Sequence, residues 1–241
     1  MGLGIKTGLL RWYAIAFRFR LPAVRWKFYG DTSQHGEFLW LRHRLDEGSP
    51  CFIVDVGAND GKRNSNSYPF IAQGWSGILV EPIPSVFAKL KALYQGNQRV
   101  HMVNCACARQ PGKLPLFLGK DGEIGEYATL STEDSDYYRQ TRTAQQVEVE
   151  VDTLTTVLEQ NNCPRDFGIL SVDTEGFDYE VLASLDFSRF KPRVIVTEDE
   201  NTDDEQKFAL LKRNGYTFSK RFARNSLWRL PRLRLPAPGK G

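Results

Sequence analysis

The 241-residue chain is poor in the residues that build metal centres and disulfide frameworks. It has three histidines, His35, His43 and His101, set far apart. Its four cysteines are Cys51, Cys105, Cys107 and Cys163, with no Cys-x-x-Cys pair. Zinc ligation and a disulfide-stapled secreted scaffold are therefore disfavoured, and the plain reading is reduced structural thiols in a cytosolic protein. No Gly-x-x-x-x-Gly-Lys-Ser/Thr phosphate loop, Gly-x-Gly-x-x-Gly fingerprint or Gly-x-Ser-x-Gly elbow occurs. Nucleotide hydrolysis, dinucleotide binding and serine acyl transfer thus lack their usual signatures. No uninterrupted apolar stretch is long enough to span a bilayer. The start of the chain lacks the small-residue cleavage pattern of a secretory signal. No internal repeat is visible.

Acids are missing from both ends. Residues 1–30 carry six Lys/Arg and residues 206–241 carry ten, with no Asp or Glu; residues 31–205 hold 16 bases against all 29 acids, a net of −13. The length suits one sizeable core. The expected organisation is a basic aromatic segment at 1–30, one domain at 31–230 and a Pro-rich basic tail at 231–241. In the first segment, Arg11, Arg18, Arg20, Arg25 and Lys27 interleave with Trp12, Phe17, Phe19, Trp26 and Phe28. Two readings stand open: an amphipathic helix on an anionic membrane, or a helix packed on the domain with its arginines in water. Nucleic acid would suit the basic ends, but the acidic middle argues against a polyanionic substrate.

What is present is an alternation of buried strands and helices. Apolar β-branched runs predict parallel strands at 51–56, 78–81, 100–106, 167–172 and 194–197. Helices are predicted at 35–46, 86–94, 154–160, 179–185 and 204–213, and a short one follows Ser65, Asn66 and Ser67. Residues 114–118 read as a short strand. Val147, Val149 and Val151 alternate with acids and read as an edge or half-exposed strand. The 119–145 insert reads as a loop or short helix near the site. Strands at 216–222 and 226–230, joined by Ala223-Arg224-Asn225, form a terminal hairpin.

Ligands in such sheets sit outside the carboxyl ends of the strands. The first strand ends in Asp55-Val56-Gly57-Ala58-Asn59-Asp60-Gly61, and the second ends at Glu81. Glu81 is placed to accept hydrogen bonds from the two hydroxyls of a ribose. Gly57 and Gly61, lacking Cβ, would let backbone approach a ligand. Asp55 and Asp60 are a poor greeting for a pyrophosphate and a reasonable one for an ammonium or sulfonium. S-adenosylmethionine fits this set better than NAD.

The later strand tips add acids. The fourth strand leads into Asp173-Thr174-Glu175-Gly176-Phe177-Asp178-Tyr179-Glu180-Val181-Leu182, and the fifth into Glu198-Asp199-Glu200-Asn201. With these residues the chain resembles the FkbM-type methyltransferases, S-adenosylmethionine-dependent O-methyltransferases, over roughly residues 31–200. Further matching segments are Ser33-Gln34-His35-Gly36-Glu37, Asn64-Ser65-Asn66-Ser67, Gly74-Trp75-Ser76-Gly77-Ile78-Leu79-Val80-Glu81-Pro82 and Asn104-Cys105-Ala106. The resemblance implies a Rossmann-like class I methyltransferase fold, α/β, mostly parallel with a C-terminal antiparallel hairpin. It implies a cofactor pocket lined by Gln34, Asp55, Gly57, Asn59, Gly61, Asn66, Glu81, Pro82, Asn104 and Ala106. The implied acceptor is a hydroxyl of a sugar, glycolipid or secondary metabolite.

Methyl transfer needs an aligned oxygen nucleophile and removal of its proton. The candidates for the base are Asp173, Glu175 and His35. Alternatively Asp173, Glu198 and Asn201 hold a magnesium or manganese ion that lowers the hydroxyl's pKa. A rival of the same fold is an NAD-dependent enzyme; a rival of another class is a nucleoside-binding module without activity. The reading places the protein in the cytoplasm, with peripheral membrane contact through residues 1–28 in one of its two forms.

If that segment lies on anionic lipid, attraction is worth about 1 kcal/mol per basic residue near the surface. The full-length protein should then bind anionic vesicles at low salt, release them as salt rises, and lose the binding on deletion of residues 1–28. Failure to bind at low salt would identify a packing helix instead.

Overall fold

Runs of β-branched and apolar residues, buried on both faces, form the centre of the sheet. The computed structural model describes residues 30–43, 45, 48–120, 127–132, 140–199 and 204–231. In chain order the strands are β1 (Phe52–Val56), β2 (Ser76–Val80), β3 (Val100–Val103), β4 (Ala106–Cys107), β5 (Gly112–Gly119), β6 (Arg142–Asp152), β7 (Asp166–Val172), β8 (Lys191–Glu198), β9 (Thr217–Phe222) and β10 (Asn225–Arg229). The helices are α1 (Glu37–Leu41), α2 (Tyr68–Ile71), α3 (Pro84–Leu93), α4 (Leu154–Gln160), α5 (Asp178–Ala183) and α6 (Asp204–Arg213).

Seven strands make one sheet in the order β3-β2-β1-β7-β8-β10-β9. The pairs from β3 through β8 are parallel, while β10 lies antiparallel between β8 and β9. This is the expected doubly wound sheet with an inserted C-terminal strand. One face packs Val54, Val56, Leu170, Val172 and Ile195 against α4, α5 and α6 through Leu154, Leu158, Leu182 and Leu211. The other packs Ile53, Leu79, Ile169 and Val194 against Phe38, Leu41, Phe70 and Leu90 of α1, α2 and α3. Burial of each such side chain contributes about 1.5–3 kcal/mol.

Several local expectations need correction. The strand expected over 100–106 divides, because Asn104 turns the chain; its Nδ2 donates to the carbonyls of Glu81 (2.8 Å) and Pro82 (3.0 Å). Its second part, β4, joins a separate sheet of order β4-β6-β5. Of the two readings for β6, an edge or a half-exposed strand, it is the half-exposed one at the centre of that sheet: Val149 and Val151 are buried while Glu148 and Glu150 stay exposed. As expected, residues 65–67 lead into α2: Ser67 holds the N-cap position, and Ser65 Oγ accepts from the N–H groups of Ser67 (3.2 Å) and Tyr68 (3.0 Å). The hairpin turn is Ala223-Arg224 alone, with Asn225 already paired to Phe222. All four cysteines are free, and Cys51 is exposed just before β1. The 1–28 segment, Asn201 and most of the Pro-rich tail lie outside the described residues. Among the described residues no helix is long and apolar enough to cross a membrane.

Gly57 locks the tips of β1 and β7 together. Asp173 N–H donates to the Val56 carbonyl at 3.0 Å. Gly57 has φ +85°, and a Cβ there would lie 1.9 Å from the Asp173 carbonyl oxygen. The glycine therefore serves a strand-to-strand approach. Gly57→Ala should destabilise the fold by at least about 2 kcal/mol, combining left-handed strain with a backbone clash. A chemical denaturation midpoint indistinguishable from wild type would show that the two tips are not held as described.

Candidate active site

The cleft opens at the carboxyl ends of β1, β2 and β7, as the topology requires. Its lining includes Gln34, Asp55, Gly57, Asn59, Asn66, Glu81, Pro82, Ala106, Asp173 and Glu175. Glu81, buried, organises the loop after β1. Its Oε2 accepts from Asn59 N–H at 3.0 Å and its Oε1 from Ile83 N–H at 2.8 Å. Asn59 sits at φ +51°, a conformation asparagine tolerates better than most residues. Burial, against two hydrogen bonds, pushes the Glu81 carboxyl up to about 7. Asp55 is also buried; its Oδ2 accepts from Ser67 Oγ at 2.5 Å, and desolvation raises its proton affinity above the ordinary carboxylate value. Asn66 donates from Nδ2 to Ser171 Oγ at 3.2 Å, while its buried Oδ1 has no hydrogen-bond partner among the described residues.

Two residues expected around the cofactor, Gly61 and Asn104, and one candidate base, His35, are absent from the lining. Gly61 faces α3: a Cβ there would meet Leu90 Cδ1 at 2.4 Å and Tyr94 Cε2 at 2.8 Å. Asn104 pins the β3–β4 turn and is absent from the lining. His35 does not reach the cleft although its neighbour Gln34 does. Its backbone N–H donates to Glu37 Oε2 at 2.9 Å, and Glu37 Oε1 accepts from Asn225 Nδ2 at 2.9 Å. This buried glutamate ties the segment to the terminal hairpin, and His35 stands outside the cleft lining.

At the far side of the cleft, Asp173, Glu175 and Glu198 each offer a carboxylate oxygen, all within 4.8 Å of one another. They come together because β7 and β8 are neighbours and Asp178 fixes their tips. Asp178 Oδ1 accepts from Thr174 N–H (2.9 Å) and Oγ1 (2.7 Å), and its Oδ2 accepts from Thr197 Oγ1 (2.8 Å) and Glu198 N–H (3.0 Å). Glu175 takes φ +50°, strained for its residue type, at the turn carrying this cluster. Burial, then the charges of Glu198, Glu175, Asp178 and Asp55, pushes Asp173 well above the usual carboxylate range. Burial, then Glu175 and Asp178, lifts Glu198 to about 8, against the lowering effect of Arg224 and Lys207. Arg224 pairs with Glu198 Oε1 at 2.8 Å from the hairpin turn and lines the cleft.

Sequence reasoning missed Arg224, Arg63 and Phe177, which also line the cleft. Arg224 stands on a two-residue turn beside β8; only the strand order places it there. From the 119–145 insert, Tyr127, Ala128 and Leu130 reach the lining, and Leu116 of β5 joins them. The small sheet thus supplies one apolar wall.

A family model described as the methyltransferase FkbM domain matches residues 55–218. The chain belongs to the FkbM methyltransferase family. It is an S-adenosylmethionine-dependent methyltransferase. No curated protein sequence matches the chain. Among solved structures, precorrin-6y C5,15-methyltransferase from Geobacter metallireducens GS-15 aligns with TM-score 0.44 and 12% identity, over 83% of this chain and 89% of that one. Magnesium protoporphyrin IX methyltransferase (ChlM) from Synechocystis PCC 6803, with bound SAM, aligns with TM-score 0.42 and 11% identity, over 80% of this chain and 74% of that one.

The donor set of this FkbM methyltransferase fits S-adenosylmethionine. Glu81 keeps lone pairs for a ribose diol. The orphan Asn66 Oδ1, with Asp55 beside the cleft, suits an ammonium group. Ile83, Ala106 and Leu116 offer apolar contact to a base.

Glu81 supplies a pH test. Its folded value near 7 exceeds its ordinary 4.5, so between these values the folded chain keeps a proton that the unfolded chain has lost. Its contribution to unliganded stability is therefore greatest below about 4.5 and falls as pH rises to about 7, by on the order of 3 kcal/mol. Glu81→Gln should flatten that part of the stability-versus-pH curve relative to wild type. Equal slopes in the two proteins would contradict the burial of an uncompensated carboxylate.

Proposed function

We propose that the protein methylates a hydroxyl oxygen of a sugar, glycolipid or secondary metabolite. The observation that carries this reading is the Asp173–Glu175–Glu198 cluster abutting the cofactor cleft, with carboxylate oxygens within 4.8 Å of one another. Glu81 would hold the ribose, Asp55, Gln34 and Asn66 would face the amino-acid end, and Pro82 and Ala106 would border the adenine. S-adenosylmethionine would supply a methyl group on a cationic sulfonium, whose carbon–sulfur bond breaks to release a neutral thioether. Asp173, at the tip of β7, accepts the proton of the acceptor hydroxyl as its oxygen forms the new bond to carbon. Raised proton affinity strengthens a carboxylate as a base at the pH values where it stays ionised. Tyr127 and Phe177 give the acceptor aromatic surface, and Arg63 and Arg224 give it polar contacts at the rim. The four free cysteines support a reducing, cytoplasmic setting. Contact of residues 1–28 with a membrane would bring lipid-linked acceptors to the site.

Asp173→Asn should lower turnover by about a hundredfold or more while cofactor affinity changes little. The assay is methyl transfer from labelled S-adenosylmethionine to a panel of sugars, glycolipids and phenolic metabolites. An Asp173→Asn enzyme with near wild-type turnover on its best acceptor would remove Asp173 as the base.

A further inference from the structure

The crowding of Asp173, Glu175 and Glu198 goes beyond what a base requires. One carboxylate suffices to accept a proton, yet three lie with oxygens within 4.8 Å of one another. Oxygens this close come within a small rotamer adjustment of sharing one cation at contacts of about 2.0–2.6 Å. A second observation points the same way. Glu198 is 5% exposed, its Oε1 is taken by Arg224, and its Oε2 is buried with no hydrogen-bond partner among the described residues. One of its carboxylate oxygens lies within 4.8 Å of oxygens of Asp173 and Glu175. A buried, orphaned carboxylate oxygen is costly unless something fills the place of a donor.

A dication would answer three clustered carboxylates, one of which, Glu198, already pairs with Arg224. Lys207 does not reach the cluster with its ammonium. It donates to the Glu198 carbonyl and pairs with Asp204 at 2.8 Å, on the side away from the cleft lining. The all-oxygen donor set suits hard cations and lacks the nitrogen or sulfur that would select zinc or copper.

We propose that Asp173, Glu175 and Glu198 form a site for one divalent cation of the magnesium, manganese or calcium class. Asp173 and Glu198 were expected as ligands from sequence. Glu175 stands as the third, and Asn201 lies outside the described residues. The site deepens the O-methyltransferase reading and rests on it. A cation there would meet an acceptor through oxygens such as a vicinal diol, and ligation through one Asp173 oxygen leaves the other for the acceptor's proton.

The test uses the full-length chain after EDTA treatment, with manganese chloride as the probe. Manganese binding is read by electron paramagnetic resonance and calorimetry, and S-adenosylhomocysteine binding is measured on the same samples. The expected result is one saturable manganese per chain, competed by magnesium or calcium. Glu198→Gln and Glu175→Gln should each weaken it by about tenfold or more. Both variants should still bind S-adenosylhomocysteine, which shows that they fold. Absence of saturable manganese binding, or unchanged affinity in both variants, with S-adenosylhomocysteine binding intact, would overturn the cation site and leave the cofactor reading standing. Failure of the wild-type chain to bind S-adenosylhomocysteine would overturn the reading on which the site rests.

Discussion

Carboxylates held in low-dielectric surroundings at the carboxyl end of one sheet set the terms for everything around them. Asp55 comes from β1, Glu81 follows β2, Asp173 follows β7, and Glu198 ends β8. Each costs free energy to bury, and each must find donors or cations. The fold supplies them unevenly. Glu81 has two backbone N–H groups, Asp55 has the Ser67 hydroxyl, and Asp178 has four donors. Glu198 has Arg224 on one oxygen and nothing described on the other.

This unevenness divides structural acids from functional ones. Asp178 is fully buried and fully used, so it serves as a clamp between β7 and β8. Asp173 has its proton affinity raised by burial and by the charges of Glu198 and Glu175, and Glu198 by burial and by the charges of Glu175 and Asp178. Such a pair is poised for chemistry or for a positively charged ligand. The β1–β7 contact at Gly57 and the strained turn at Glu175 hold it in place.

Much of this was legible in the sequence because it depended on local pattern. The apolar runs of β1, β2 and β7 read as strands buried on both faces, and the spans of α4 and α6 matched their observed limits. Acids at strand tips could be read from the end of each run. What escaped depended on contacts distant in sequence. Gly57 and Gly61 read as ligand-approach glycines; Gly57 lines the cleft while also making room for the Asp173 backbone, but the space at Gly61 belongs to Leu90 and Tyr94. Strand β6 read as an edge or half-exposed strand because alternation is the same for both, and only its pairing with β4 and β5 decides between them. His35 was drawn in by its motif, whereas Glu37 and Asn225, 188 residues apart, decide where that segment sits. Arg224 enters only through the insertion of β10 beside β8.

The central claim is that this acid-tipped cleft holds a sulfonium cofactor rather than a dinucleotide. Titration calorimetry of the wild-type chain with S-adenosylmethionine, S-adenosylhomocysteine and NAD tests it most directly. The account predicts one saturable site for the first two ligands, displaced by each other, and none for NAD. Saturable binding of NAD with no binding of S-adenosylhomocysteine would contradict it.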